Sequence, residues 1–305
     1  MVGTGAGEGT LTIIGDAPKD FVVLRSGLRY IAKQPRREGP IECVTEHLIG
    51  RIGRMLPLRV AEGRLVRLPT DRLGTDVRFM SRYFLSGVEQ LLHGSQIIAA
   101  CFELQERELQ TAVPKGKEWS FYTYDLVVSA FDHLWNRHKK ALTDGFSRMM
   151  AFDALVGAND RHPQNWGVVF NVVDRDAPPR FSPIFDTARG LFWNDTDDRL
   201  EAIDRDRRRP QRIASYANGS EPLIGLPAPV RPSHFDVIES MLARSDLRGP
   251  IVETIQSYNC DAGTRLLQRE FRSILSRRRL EFIDDLLRFR HARLISLCQK
   301  EQKHD

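Results

Sequence analysis

Residues 152–167, FDALVGANDRHPQNWG, constrain this chain more than any other stretch. A polar, turn-rich segment stands there between an apolar helical pattern over 143–156 and an apolar strand-like run over 168–173. Asp160 and Asn165 lie five apart inside it, with Arg161 and His162 between them. A second short strand-like run, 181–185, follows a DRDAPPR loop and ends at Asp186 in SPIFDTARG.

An Asp, an Asn five residues on and a later strand-end Asp form the arrangement used for phosphoryl transfer. In it the first Asp orients or deprotonates the acceptor hydroxyl, while the Asn and the last Asp hold Mg²⁺ on the nucleotide phosphates. Mg²⁺ suits such a site because it wants hard oxygen ligands and takes only one or two from side chains. A D-x4-N pair alone is a weak signal, and the competing reading is a cap-rich turn with an unrelated Asp. The upstream half supplies the check. A kinase small lobe needs a strand lysine for the phosphates and a helix Glu to pair with it. Lys33 ends the strand-like run LRYIAK, and Glu46 opens the helical pattern that follows. Each residue alone reads as a solvated Lys and a Glu favouring the helix dipole. In this order, ahead of the polar segment, they point to a nucleotide site.

The rest of the chain fits an α+β organisation. Strands are expected at 10–14, 21–24, 28–33, 64–68 and 77–85, with turns at 15–19, 25–27 and 71–75. A helix is expected over 45–56, capped by Thr45, with Leu48, Ile49, Ile52 and Leu56 on one stripe. Beyond it the pattern predicts helices over 88–93, 95–110, 121–137, 143–156, 235–242, 250–258 and 264–297. Residues 194–212, with six acidic and six Arg side chains, read as a long exposed loop, and Ser215, Tyr216 and Ser220 beyond it as candidate phosphorylation sites. The expected fold is a two-lobed, protein-kinase-like α+β structure. Residues 1–86 would form a small nucleotide-binding lobe, with 1–10 disordered, and residues 87–305 a larger helical catalytic lobe.

NDRHPQN, preceded by FDALVGA and followed by a strand and IFDTARG, resembles the HipA-like kinase family. YIAK, the helix in VTEHLIGRIGRMLPLRVAEGRLV and the hinge-like FMSRYFL extend the resemblance upstream, so that it covers about 15–195. The DRHxxN string is shared with phosphatidylinositol 3- and 4-kinases, to which this family's fold is related. The resemblance implies ATP and Mg²⁺ as cofactors and transfer of the γ-phosphate to a hydroxyl. It implies Asp160 as the catalytic base, Asn165 and Asp186 as the Mg²⁺ ligands, and His162 as an organiser of the catalytic loop. Lys33 would contact the α- and β-phosphates, Glu46 would hold Lys33, and the backbone around Ser81, Arg82 and Tyr83 would bind adenine. The implied acceptor is a Ser or Thr of a protein substrate or of the chain itself, with an antitoxin or regulator protein as partner. Three features depart from the pattern. HipA toxins that phosphorylate protein usually carry a Lys just before the metal-binding Asn, where this chain has Gln164. The extra N-terminal domain of classical HipA toxins is not expected, because the lysine strand comes so early. No convincing glycine loop is present, and the 15–19 turn is the best nucleotide lid.

Two other readings stay open: a kinase for a small molecule or lipid headgroup, and a catalytically weak kinase fold serving as a nucleotide-gated or nucleic-acid-binding module. The second rests on a basic face of the last helix, formed by Arg269, Arg272, Arg277, Arg278, Arg279, Arg288, Arg290 and Arg293. The structural reading of that face is a solvated polar side of an amphipathic helix. Net charge is only +5 on a mixed-charge chain, and aromatic stacking platforms are lacking, which argues against dedicated nucleic-acid binding. Cys43, Cys101, Cys260 and Cys298 contain no CxxC and read as thiols in a reducing compartment. The histidines, His47 and His93 among them, show no zinc spacing. No leader or membrane span is evident, so a cytoplasmic location without membrane attachment is expected.

Overall fold

The computed structural model describes residues 19–34, 41–68, 76–113, 116–226 and 231–301. The expectations for 1–10, for a strand at 10–14, for the 71–75 turn and for the 15–19 lid apart from Lys19 lie outside these residues.

In chain order the elements are β1 (Lys19–Val23), β2 (Arg29–Lys33), α1 (Glu42–Gly53), β3 (Gly63–Leu68), β4 (Asp76–Arg82) and β5 (Glu89–His93). Helices α2 (Gly94–Cys101), α3 (Glu106–Ala112), α4 (Glu118–Phe121), α5 (Tyr124–Trp135) and α6 (Lys139–Val156) precede β6 (Gly167–Asn171) and β7 (Arg180–Phe181). Then come α7 (Asp197–Arg205), α8 (Arg209–Gly219), α9 (His234–Leu242), α10 (Ser245–Ser257), α11 (Cys260–Leu266) and α12 (Arg277–Glu301).

Two small antiparallel sheets are joined to a larger helical part. The first has the order β1-β2-β4-β3, the second β5-β6-β7. Alternation along β2 buries Tyr30 and Ala32, which meet Met80 of β4 in a small core of the first sheet. The large core runs continuously from α1 through α5, α6 and α9 to α12. Leu48, Ile49 and Ile52 of α1 are all 1% exposed or less, the stripe expected from their spacing. The helix starts three residues earlier than expected, at Glu42. Thr45 is no cap: its N–H donates to Ile41 O at 2.8 Å and its side chain is buried.

Five further expectations are corrected. Residues 88–93 are not helical, because β6 offers them a ladder running from Glu89 opposite Asn171 to His93 opposite Gly167. Tertiary pairing overrides local propensity there. Gly167 is required at that crossing, since a Cβ on it would lie 2.2 Å from Leu92 O. The 95–110 helix is broken between Cys101 and Glu106. Residues 194–212 are mostly helical: Thr196 Oγ1 accepts from Arg199 N at 3.2 Å, and Pro210 stands in the first turn of α8. Leu200 is fully buried, and the charged residues pair with one another and with α12 through Arg209–Asp204 and Arg278–Asp204, both 2.7 Å. Residues 264–297 are three pieces: α11, a π-helical turn over Leu267–Phe271, and α12. Tyr216 and Ser220 are buried, which removes them as accessible modification sites.

The basic face of the last helix is solvated only in part, with Arg269, Arg272, Arg277 and Arg293 exposed. Arg279 is 2% exposed and Arg290 is 0% exposed. Arg290 donates to Ala154 O at 2.6 Å and Ala217 O at 2.7 Å, which ties α12 to α6 and α8. Arg279 donates to Asp197 Oδ1 at 2.6 Å, Phe192 O at 3.1 Å and Asp195 O at 2.5 Å. It thereby fixes Leu191 and Phe192, whose φ of 52° and 61° are left-handed and strained for bulky side chains. Arg277, Arg278 and Arg288 are paired with Glu281 and Asp284 one turn away. Among the described residues all four cysteines are free thiols, and no helix is long and apolar enough to cross a membrane.

Truncating Arg279 to Ala strands the buried carbonyls of Phe192 and Asp195, while the Asp197 carboxylate, 45% exposed, turns to water. The expected loss of stability is about 2–4 kcal/mol. It is read as a lower urea midpoint, and Arg279→Lys recovers only part of it because one amine cannot span three acceptors.

Candidate active site

Lys33 closes β2 on the face opposite Tyr30 and Ala32, toward α1, and is 8% exposed. Its Nζ lies 2.6 Å from Glu46 Oε1 on α1 and 2.8 Å from Asp186 Oδ1. A second ammonium, that of Lys19 at the start of β1, lies 3.3 Å from Asp186 Oδ2. Burial opposes charge on Lys33, but Glu46 and Asp186 outweigh it and raise its pKa. Burial acts to raise the Asp186 carboxyl, yet Lys33 and Lys19 hold it well below the usual carboxylate range. Asp186 has φ 54°, a left-handed conformation that Asp tolerates better than most residues.

The polar segment after α6 is built around Arg161. Helix α6 ends at Gly157, whose φ of 66° lets the chain turn away. Asp153, one turn before that end, receives both Arg161 Nε at 2.8 Å and Nη2 at 2.9 Å. Arg161 Nη1 then donates to two carbonyls, Asn165 O at 2.8 Å and Phe185 O at 2.9 Å. A single nitrogen therefore joins the backbone at Asn165 to the residue before Asp186. The side chain of Asn165 donates Nδ2 to Asp160 O at 2.8 Å, which closes the loop on itself. A further hold comes from α2, where Gly94 N donates to Trp166 O at 2.9 Å and Ser95 N to Pro163 O at 3.0 Å.

Asp186 is delivered by a segment unlike the strand expected over 181–185. Only Arg180 and Phe181 pair with β6. Ile184 then bridges to Val60, with Ile184 N donating to Arg59 O and Ala61 N to Ile184 O, both at 2.8 Å. The chain thus crosses from the second sheet to the segment after α1 just before Asp186.

Asp160 faces a group that sequence reasoning missed. Arg189 Nη1 is 3.4 Å from Asp160 Oδ1 and its Nε 3.4 Å from Oδ2; the same guanidinium lies over the Trp193 ring at 5.3 Å. Burial lifts the Asp160 carboxyl above its ordinary value, against the pull of Arg189 and His162. Burial likewise lowers the His162 pKa, and its Nδ1 accepts from Gln164 N at 3.3 Å, so the ring braces the loop from within. Gln164 turns its amide to Glu106 Oε1 on α3, 3.5 Å away. At the other edge, Arg82 N donates to Glu62 O at 2.6 Å and Tyr83 N to Arg29 O at 2.9 Å. Ser81 is paired in the β4 ladder opposite Ile31 and Gly63. Lys19 and Arg189 carried no readable role in the sequence, since their contacts cross 167 and 29 residues.

Among the described residues, no group of three or more His, Cys, Asp or Glu is placed to hold a metal ion. The donor set nevertheless fits Mg²⁺. Asn165 uses its amide nitrogen on Asp160 O, which leaves its amide oxygen as a hard donor, and Asp186 offers a carboxylate. Mg²⁺ commonly takes its remaining ligands from phosphates and water.

A small antiparallel sheet with one helix, a larger helical part, and this lysine-to-carboxylate cluster between them define a kinase-like fold of the HipA type. The structure is similar to that of the Helicobacter pylori proinflammatory kinase CtkA, with a TM-score of 0.75 and 16% identity over 94% of this chain and 96% of that one. It is also similar to HipA of Shewanella oneidensis MR-1, solved with HipB and operator DNA, with a TM-score of 0.55 and 12% identity. That likeness covers 97% of this chain and 66% of the HipA chain. No protein-family model matches the sequence, and no curated protein does. The likeness is one of fold.

Because the folded-state pKa of Asp186 is depressed, its ionic contacts stabilise the protein fully above the unfolded value, about 3.9. That contribution fades as pH falls toward the lower folded value. The urea midpoint of the wild type is expected to drop through this acid window, and Asp186→Asn to show a shallower drop over the same range. Parallel slopes for the two proteins would contradict the assignment.

Proposed function

We propose that this chain is an ATP- and Mg²⁺-dependent phosphotransferase of HipA type that phosphorylates a Ser or Thr hydroxyl of a protein. The observation that carries this reading is the contact of Lys33 Nζ with both Glu46 and Asp186, on a loop that Arg161 ties to Asn165. Residues to about 86 serve as the nucleotide-binding lobe and the remainder as the catalytic lobe, with the cleft between them.

ATP would supply the γ-phosphoryl group, and Asn165 and Asp186 would hold a Mg²⁺ that offsets its charge. Glu46 keeps the Lys33 ammonium aimed into the cleft, where it donates to phosphate oxygens. Lys19, already on the far oxygen of Asp186, adds a second cation at the same point. Asp160 accepts the proton of the acceptor hydroxyl, and its burial makes it a better base than an exposed carboxylate. His162 and Arg161 keep the loop in place while this happens. The N–H groups of Arg82 and Tyr83 are engaged within the protein and Leu85 O accepts from Arg29 Nη2 at 2.9 Å, so adenine is met by the backbone at Phe84 and the Leu85 N–H, beside the Phe84 ring packed 5.7 Å from Phe185. The structure of HipA with HipB and operator DNA suggests a protein regulator as partner here too.

The test is Mg²⁺-dependent transfer of labelled γ-phosphate, followed by mass spectrometry. Label on Ser or Thr is expected, reduced at least about a hundredfold in Asp160→Ala and lost in Asp186→Ala. Failure to bind ATP, or equal labelling by wild type and both variants, would overturn the reading.

A further inference from the structure

A second concave site lies at the C-terminal end of α1. That end and the α11 to π-turn segment flank an open groove of about 720 Å³. Five arginines line it: Arg51 and Arg54 from the α1 end, and Arg265, Arg269 and Arg272 from the C-terminal segment. Its floor is apolar, with Met55 and Leu266 between the arginine stems. Among the described residues the ion pairs there run through one carboxylate. Glu270 takes Arg51 Nε and Nη2, each at 2.8 Å, and Arg269 Nη2 at 2.7 Å. Arg54, Arg265 and Arg272 are exposed.

We propose that this pocket binds a nucleoside polyphosphate as a second, non-catalytic ligand that clamps α1 to the C-terminal segment. Three observations converge on that class. The volume lies in the range of small-ligand sites. Arginine forks pair bidentately with phosphate, and five of them with one carboxylate leave a surplus of positive charge that a polyanion would neutralise. The apolar floor and the flat guanidinium faces offer a surface to a base, which inorganic phosphate lacks. The pocket wall also contains a π-helical turn, Leu267–Phe271, a distortion frequent at functional sites. That turn supplies Glu270 to Arg51, and its Phe271 ring packs 5.6 Å from His47 of α1. The positive potential is registered at His47, whose pKa is held down at about 4 by burial and by Arg51 and Arg54.

Position gives the site its consequence. Glu46 stands next to His47 on the same helix, so a ligand spanning Arg54 and Arg272 bears on the helix that orients Lys33. Only this coupling rests on the proposed phosphotransferase function; the binding itself does not.

The test uses the full chain and a fluorescent probe, N-methylanthraniloyl-GTP, in EDTA, where a Mg²⁺-dependent active site is silent. Wild type and Lys33→Ala are expected to bind the probe equally, and Arg265→Glu/Arg272→Glu at least tenfold more weakly with an unchanged circular dichroism spectrum. Arg265→Lys/Arg272→Lys is expected to fall between them, because charge is kept and the fork lost. Unlabelled GTP should displace the probe at lower concentration than pyrophosphate, and hydrogen exchange of α1 amides should slow when GTP is bound. Equal binding by the Glu double variant would overturn the site. Equal competition by pyrophosphate would overturn the nucleoside part, and unchanged exchange in α1 would overturn the clamp. None of these readouts involves phosphoryl transfer, so loss of the kinase reading and loss of this one are separable.

Discussion

The buried guanidinium of Arg161 is the constraint on which the cleft depends. Removing such a charge from water is costly unless its donors are all taken. Here Asp153 satisfies one edge and two carbonyls the other. The consequence is geometric. Positions 153, 165 and 185 belong to a helix end, a loop and an incoming strand segment, and one planar group brings them to a common point. A lysine has no planar fork and would leave at least one of these partners unmet. The candidate Mg²⁺ donors, Asn165 and Asp186, are therefore positioned through their backbones. Their side-chain oxygens need not be spent on building the fold.

Charge in the cleft alternates between elements. Glu46 and Asp186 are held by Lys33 and Lys19, and Asp160 by Arg189, with Glu42 3.9 Å from the same arginine. Each cation comes from a different segment than the acid it meets. In the unliganded protein these pairs screen carboxylates that would otherwise repel one another and a polyphosphate alike. Were a nucleotide bound, its phosphate oxygens would meet these cations, and Asn165 and Asp186 would be the residues to hold its metal. Arg189 has a particular place in this. It stands at the base, where Gln164, turned to Glu106, brings no charge.

Much of this was legible where the signal is local. Lys33 at a strand end, Glu46 on the next helix, and a polar turn between an apolar helix and strand all follow from periodicity and turn chemistry. What escaped was set at a distance. The run VEQLLH carries a helical composition, and only the edge of β6 makes it a strand. The 194–212 segment looks solvated by composition, although Thr196 with Asp197 and Asp198 is a helix start that capping rules describe. Arg279 and Arg290 share the helical face of exposed arginines, and their burial depends on carbonyls 73–136 residues away. Counting them toward a basic surface overstated it.

Helix α1 connects these observations. Its acidic residues, Glu42 and Glu46, lie toward the N-terminal end and its arginines, Arg51 and Arg54, at the C-terminal end, the distribution that complements the helix dipole. The same distribution turns one end toward the cations of the cleft and the other toward the anion-deficient pocket. Between Glu46 and Arg54 the helix rises about 12 Å, a distance over which a packed helix moves as a unit. Leu48, Ile49 and Ile52 hold it in the core of the helical part, while Glu46 and His47 meet the first sheet at Lys33 and Phe79. A displacement at the arginine end would therefore be shared between the helical core and the sheet, with the Lys33–Glu46 ion pair among the contacts that carry it.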